Sequence, residues 1–123
     1  MFQWLTTSTN QAYVTMHNNN ITFNSISTNY LDNVNYCLVG LNIKDKQVGI
    51  KPITKKDIQL NIYQKDQLHK LYFGKGFSRI TNKSLVDKIS QSMNLIFKGQ
   101  KYNINKDEST NIYIIDYRKE IEQ

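Results

Sequence analysis

At 123 residues the chain fits one domain and is long enough to bury a core without help from metals or disulfides. It is basic, with a formal net charge of +6, and a single cysteine excludes both an intramolecular disulfide and a multi-cysteine zinc site. No run approaches the roughly 20 apolar residues of a membrane-spanning helix, and Met1 to Asn20 holds neither Lys nor Arg, which argues against a signal peptide and for a cytoplasmic protein without a membrane partner.

Ala12 to Met16 is the first expected strand, and Asn18-Asn19-Asn20 turns into a second at Ile21-Thr22-Phe23. Asn24 or Ser25 is suited to cap a short helix from about Ile26 to Val34, with Ile26, Tyr30, Leu31 and Val34 on one face. Tyr36 to Leu41 is almost continuously apolar, the pattern of a strand buried on both faces, which puts Leu38 and an inert Cys37 in the core. Gln47 to Lys51 alternates with Val48 and Ile50 inward and pairs with that strand as a hairpin. Pro52 is expected to end it or mark an edge, since proline lacks the ladder donor.

Ile58, Leu60 and Ile62 alternate with Gln59, Asn61 and Tyr63 and predict another strand. Leu68 to Phe73 predicts the next, Gly74-Lys75-Gly76 a turn, and Phe77 to Ile80 the return strand. Thr81 or Asn82 then caps a helix over Ser84 to Leu95, whose apolar face is Leu85, Ile89, Met93 and Ile96. Tyr102 to Asn105 and Asn111 to Tyr117 form a late hairpin around Lys106-Asp107-Glu108-Ser109. The resulting class is α+β, a single domain over 1–123: a small, mostly antiparallel sheet or partly open barrel with two short helices. Two stretches, at about 21–53 and 80–117, share the outline strand, short helix, hairpin, which suggests an internal pseudo-repeat.

Over Thr22 to Pro52 this outline distantly resembles the swapped-hairpin DNA-binding domains of the AbrB and MraZ type. In such domains two units interlock and present basic residues to DNA. The present chain departs from them in having no Lys or Arg before Lys44, so the resemblance implies a topology and transfers no site residue.

Charge is segregated along the chain. Residues 1–43 carry only Asp32, residues 44–75 carry eight Lys against three Asp, and residues 76–106 carry six basic residues against Asp87. Residues 107–123 reverse the sign, with five acidic and two basic side chains. Within the basic middle, the segment from Lys70 to Lys88 sets Lys70, Lys75, Arg79, Lys83 and Lys88 among Tyr72, Phe73 and Phe77, around a glycine-flanked turn. Cations of this kind neutralise phosphates, and exposed aromatic rings stack on unpaired bases. Lys70, Tyr72, Lys75, Phe77, Arg79, Lys83 and Lys88 are therefore the candidate nucleic-acid contacts.

Other chemistry is thinly represented. Gly74-Lys75-Gly76 lacks the length and the closing Lys-Ser/Thr of a phosphate loop. His17 and His69 are the only histidines and show no metal-ligand spacing. Asp66 stands near enough to His69 to orient it, yet no nucleophile motif surrounds Ser78. No catalytic residue, metal or cofactor is expected. The leading expectation is an accessory or regulatory protein with DNA or RNA as partner. The competing one is a protein-interaction or homo-oligomerising module, and an enzyme ranks last.

Overall fold

In the computed structural model, which describes residues 1–5, 11–31 and 34–121, alternation of apolar and polar residues builds nearly every strand. β1 (Tyr13–Met16) and β2 (Asn20–Phe23) bury Val14, Met16, Ile21 and Phe23 and turn the residues between them outward. Helix α1 (Ser25–Tyr30) follows, capped by Asn24. It is shorter than expected. Leu31 closes it and is buried, while the next two residues of the expected helix, Asp32 and Asn33, lie outside the described residues.

The hairpin of β3 (Tyr36–Asn42) and β4 (Gln47–Ile53) forms as the pattern predicts, with Val48 and Ile50 inward. The expectation that β3 is buried on both faces fails. Only Cys37 is fully buried, Leu38 and Val39 are half-buried, and Gly40 and Leu41 are exposed. The reason is topological: β5 (His69–Lys70) pairs with β3 only at Tyr36 and Cys37, so, among the described residues, 38–42 form a free sheet margin. Nor does Pro52 end the hairpin. The strand runs on to Ile53, and β9 (Tyr113–Ile121) pairs with β4 only over Gln47 to Ile50, so Pro52 lies beyond that ladder.

A second expectation is overturned after Pro52. Ile58, Leu60 and Ile62 do not make a strand; helix α2 (Lys55–Gln59) occupies the segment, and Leu60 and Ile62 are exposed. Thr54 decides this locally. Its hydroxyl accepts from the N–H of Asp57 at 3.2 Å, satisfying one of the donors a helix start leaves open, and its carbonyl takes the first helical bond, from Ile58 N–H at 3.1 Å. A 3₁₀ turn over Lys65–Gln67 leads into β5.

β5 and β6 (Tyr72–Gly74) are two halves of one extended segment that changes partner at Leu71. The first half pairs with β3, the second with β7 (Phe77–Thr81). Leu71 is buried at the switch, and its N–H donates to the Asn35 carbonyl at 2.8 Å. The nine strands found among the described residues are all antiparallel and run β5-β3-β4-β9-β8-β1-β2-β7-β6, with β8 at Gln100–Lys106. Because the first and last are contiguous in the chain, the sheet is bent into a nearly closed barrel. Strands dominate, and among the described residues three short α-helices accompany them rather than two.

Helix α3 (Lys83–Met93) starts at Asn82 and buries Val86, Ile89 and Met93. It stops at Asn94 in the left-handed conformation (φ 55°). Ile96 is consequently off the helix and exposed, and Phe97 takes the buried place, packed on Tyr102 and Tyr117. The order strand, helix, hairpin occurs twice, as β2–α1–β3–β4 and β7–α3–β8–β9, and β2 lies beside β7 as β4 lies beside β9.

Cys37 is fully enclosed, and burial pushes its thiol up to about 12. A maleimide-type reagent is expected to label it slowly in the native protein and promptly in denaturant, followed by mass spectrometry. Equal rates in the two conditions would show that β3 opens at Cys37 under native conditions.

Candidate nucleic-acid interface

Outward side chains on five neighbouring strands line up through the ladder registers. Tyr72 faces Arg79, Arg79 faces Thr22, Thr22 faces Thr15, and Thr15 faces Lys101, so one row crosses β6, β7, β2, β1 and β8. Alternation along each strand places these residues on the side opposite the buried Ser78, Ile80, Ile21, Val14 and Tyr102. Phe77 and Tyr13 project from the same face, two residues along from Arg79 and Thr15.

Each aromatic on this face has a cation against it. Lys70 Nζ lies 5.1 Å from the Tyr72 ring centre, the Arg79 guanidinium 5.1 Å from that of Phe77, and Lys101 Nζ 5.0 Å from that of Tyr13. Arg79 is held in place by its Nε–H, which donates to Thr22 Oγ1 at 3.1 Å; Thr22 Oγ1 in turn donates to Asn20 Oδ1 at 2.7 Å. Strands β6, β7, β2 and β1 contain no Asp or Glu, while Asp116 and Glu120 lie on β9, on the far side of β8. Nothing on these four strands offsets the cations.

The β6–β7 hairpin is shaped for this arrangement. Lys75 and Gly76 form its tip, and Gly76 adopts φ 81°, a backbone region open to glycine at little cost. Gly74 sits under the Phe77 ring so closely that a Cβ there would stand 2.3 Å from Cζ of Phe77. The ring therefore lies across the glycine and leans on the sheet, with Arg79 beside it.

Two shallow depressions flank the Phe77–Arg79 ridge. One, of about 440 Å³, is bordered by Tyr13 and Phe77 and floored by Thr15 and Thr22. The other, of about 390 Å³, lies between Tyr72 and Phe77.

Of the seven candidate residues, Lys70, Tyr72, Lys75, Phe77 and Arg79 belong to this hairpin and the segment leading into it. Lys83 and Lys88 are on α3 instead. Lys83 is tied to Asp87, with Nζ 3.2 and 3.1 Å from the two carboxylate oxygens. Lys88 borders a different groove, of about 500 Å³, between the free margin of β3 and the first turns of α3. That groove also holds Asp66 and His69, whose imidazole is held below its usual range, first by burial and then by the charge of Lys88. Sequence reasoning missed Tyr13, Thr15, Thr22 and Lys101. The only available signal was that Tyr13 and Thr15 fall on the outward positions of an alternating strand.

Among the described residues, no three His, Cys, Asp or Glu side chains are grouped so as to hold a metal ion, and no helix is long and apolar enough to cross a membrane. No known protein family, curated protein or solved structure matches the chain.

Proposed function

We propose that the protein binds nucleic acid through the outer face of β6, β7, β2, β1 and β8. The observation that carries this reading is the set of three cation–aromatic pairs, Lys70–Tyr72, Arg79–Phe77 and Lys101–Tyr13, on a face whose first four strands lack acidic residues. Lys and Arg on such a surface meet the phosphate backbone regardless of sequence, and the counterions they displace make the affinity depend on salt.

Labelled oligonucleotides titrated at 50 and 200 mM salt test the reading. With three or four phosphates neutralised, affinity for a single strand should fall about twenty- to fifty-fold between the two salts. Changing Lys70, Lys75 and Lys101 together to Gln should weaken binding across unrelated sequences and flatten the salt dependence. The three side chains stand outside the core, so the thermal melt should stay near that of the parent protein. Absence of association at 50 mM salt would remove the proposal.

A second reading, self-association or capture of a protein partner, is favoured by one specific observation. Among the described residues, 38–42 of β3 pair with β4 on one side and with no strand on the other, and Leu41 is 44% exposed beside the groove lined by Leu85 and Ile89. Free strand margins pair with other chains. Sedimentation velocity over a hundred-fold range of concentration separates a monomer from a concentration-dependent oligomer.

A further inference from the structure

We infer that the ligand of this face is an unpaired strand, and that the depression between Tyr13 and Phe77 receives one of its bases. This rests on the nucleic-acid reading above and narrows it. Phosphate contacts need only cations, and a lysine-covered surface would serve a duplex as well. What a duplex cannot use is an aromatic wall, because its bases are already stacked and its outer surface is sugar and phosphate. Here aromatic walls are present in sequence across the sheet: Tyr72, Phe77, Tyr13.

The dimensions suit a base. Phe77 is on β7 and Tyr13 on β1, with β2 between them. Two inter-strand steps amount to about 10 Å. That separation admits a base stacked on the open side of either ring, at about 3.5–4 Å from it. The floor is polar rather than apolar, since Thr15 and Thr22 face each other across the β1–β2 ladder. The Thr15 hydroxyl can donate to or accept from a base edge, and the Thr22 hydroxyl, which already donates to Asn20, can accept, which gives a slot that tolerates different bases. Arg79 and Lys101 stand at the two sides of the slot, against its aromatic walls, where the phosphates on either side of an inserted base would lie. The second depression, between Tyr72 and Phe77, shares the Phe77–Arg79 ridge and offers the adjoining nucleotide the same chemistry.

The test compares three probes of equal length and phosphate count per strand by fluorescence anisotropy: a mixed-sequence single strand, the same strand with abasic sites throughout, and the corresponding duplex. The intact single strand should bind at least ten-fold more tightly than the abasic strand and more tightly than the duplex. Tyr13→Leu and Phe77→Leu should each lower affinity for the intact strand, since stacking on one aromatic changes it by roughly 5- to 150-fold. Neither change should alter affinity for the abasic strand. Phe77 also covers Gly74, so Tyr13→Leu keeps the test valid if the Phe77 variant unfolds. Equal binding of the three probes, or a Tyr13→Leu protein that binds the intact strand as the parent does, would overturn the stacking inference and leave the phosphate reading standing. Failure of all three probes to bind at low salt would remove both.

Discussion

Truncation of Phe23 to alanine is expected to cost about 3–5 kcal/mol of stability. Phe23 is the largest side chain in the molecule that is wholly enclosed. It lies on β2, between Val14 of β1 and Ser78 of β7 in the ladder, in the stretch of sheet that α1 begins from. Backbone ladders hold both neighbouring strands in register, so the surroundings cannot collapse into the space that the ring leaves, and a cavity penalty adds to the lost transfer energy. Domains of this size have about 5–15 kcal/mol in all, so the variant would be marginal at 37 °C. Thermal melts should drop by roughly 12–20 °C at about 4 °C per kcal/mol. Phe23→Leu, which keeps much of the volume, should lose far less. A Phe23→Ala melt that overlays the parent's would mean that the ring is not a core element.

Much of this fold was legible because alternation was clean wherever a strand had neighbours on both sides. β1, β2, β4 and β7 all read correctly, as did the glycine turn at residues 74–76, and of the two caps expected, Thr81 or Asn82, it is Asn82 that caps α3. Two of the failures have a common cause. Periodicity reports which side chains are apolar but not whether another element lies over them. The run at Tyr36 to Leu41 looked doubly buried, yet its neighbour β5 is only two residues long. Ile58, Leu60 and Ile62 alternated like a strand, but the Thr54 cap starts a helix over the first part of that run. The shared outline of 21–53 and 80–117 shows the same limit at a finer scale. Ile21-Thr22 and Ile80-Thr81 match at an offset of 59, whereas the caps Asn24 and Asn82 stand 58 apart.

The candidate site was half legible for a related reason. Lys70, Tyr72, Lys75, Phe77 and Arg79 are close in sequence, and a tight hairpin keeps them close in space. Tyr13, Thr22 and Lys101 join them only through the β7–β2, β2–β1 and β1–β8 registers. Those pairings connect residues up to 90 positions apart, and side-chain patterns on separate strands do not encode which strand lies beside which. Conversely, Lys83 and Lys88 were near in sequence but are carried off by α3, one to an ion pair and the other to a separate groove.

Asn24→Ala is expected to be the most damaging substitution of a polar residue, at about 2–4 kcal/mol. Asn24 occupies the point where β2 becomes α1, and the two structures make competing demands on it. The next ladder pair after Val14 and Phe23 would be Tyr13 with Asn24. Asn24 donates its own N–H to the Tyr13 carbonyl at 3.1 Å, as a strand residue should. Its carbonyl, however, has turned into the helix and accepts from Thr28 N–H at 2.8 Å. The side chain replaces it: Oδ1 accepts from Tyr13 N–H at 3.2 Å while also capping Ser27 N–H at 3.0 Å and accepting from Ser27 Oγ at 2.8 Å. Nδ2 donates to the Gln11 carbonyl at 2.9 Å. Alanine would leave the Tyr13 and Ser27 N–H groups without that acceptor, and Ser27 is fully buried. Asn82→Ala is the matched control, because among the described residues the Asn82 side chain bonds only to Leu85 N–H, at 3.0 Å. It should cost about 1 kcal/mol, the ordinary value of a cap. Asn24→Asp keeps the accepting oxygen and adds a negative charge at the helix start but loses the donation to the Gln11 carbonyl, so it should fall between the parent and Asn24→Ala. Urea melts of the three variants decide the matter. If Asn24→Ala and Asn82→Ala shift the midpoint equally, the side chain is only a cap and the strand-to-helix role assigned to it is wrong.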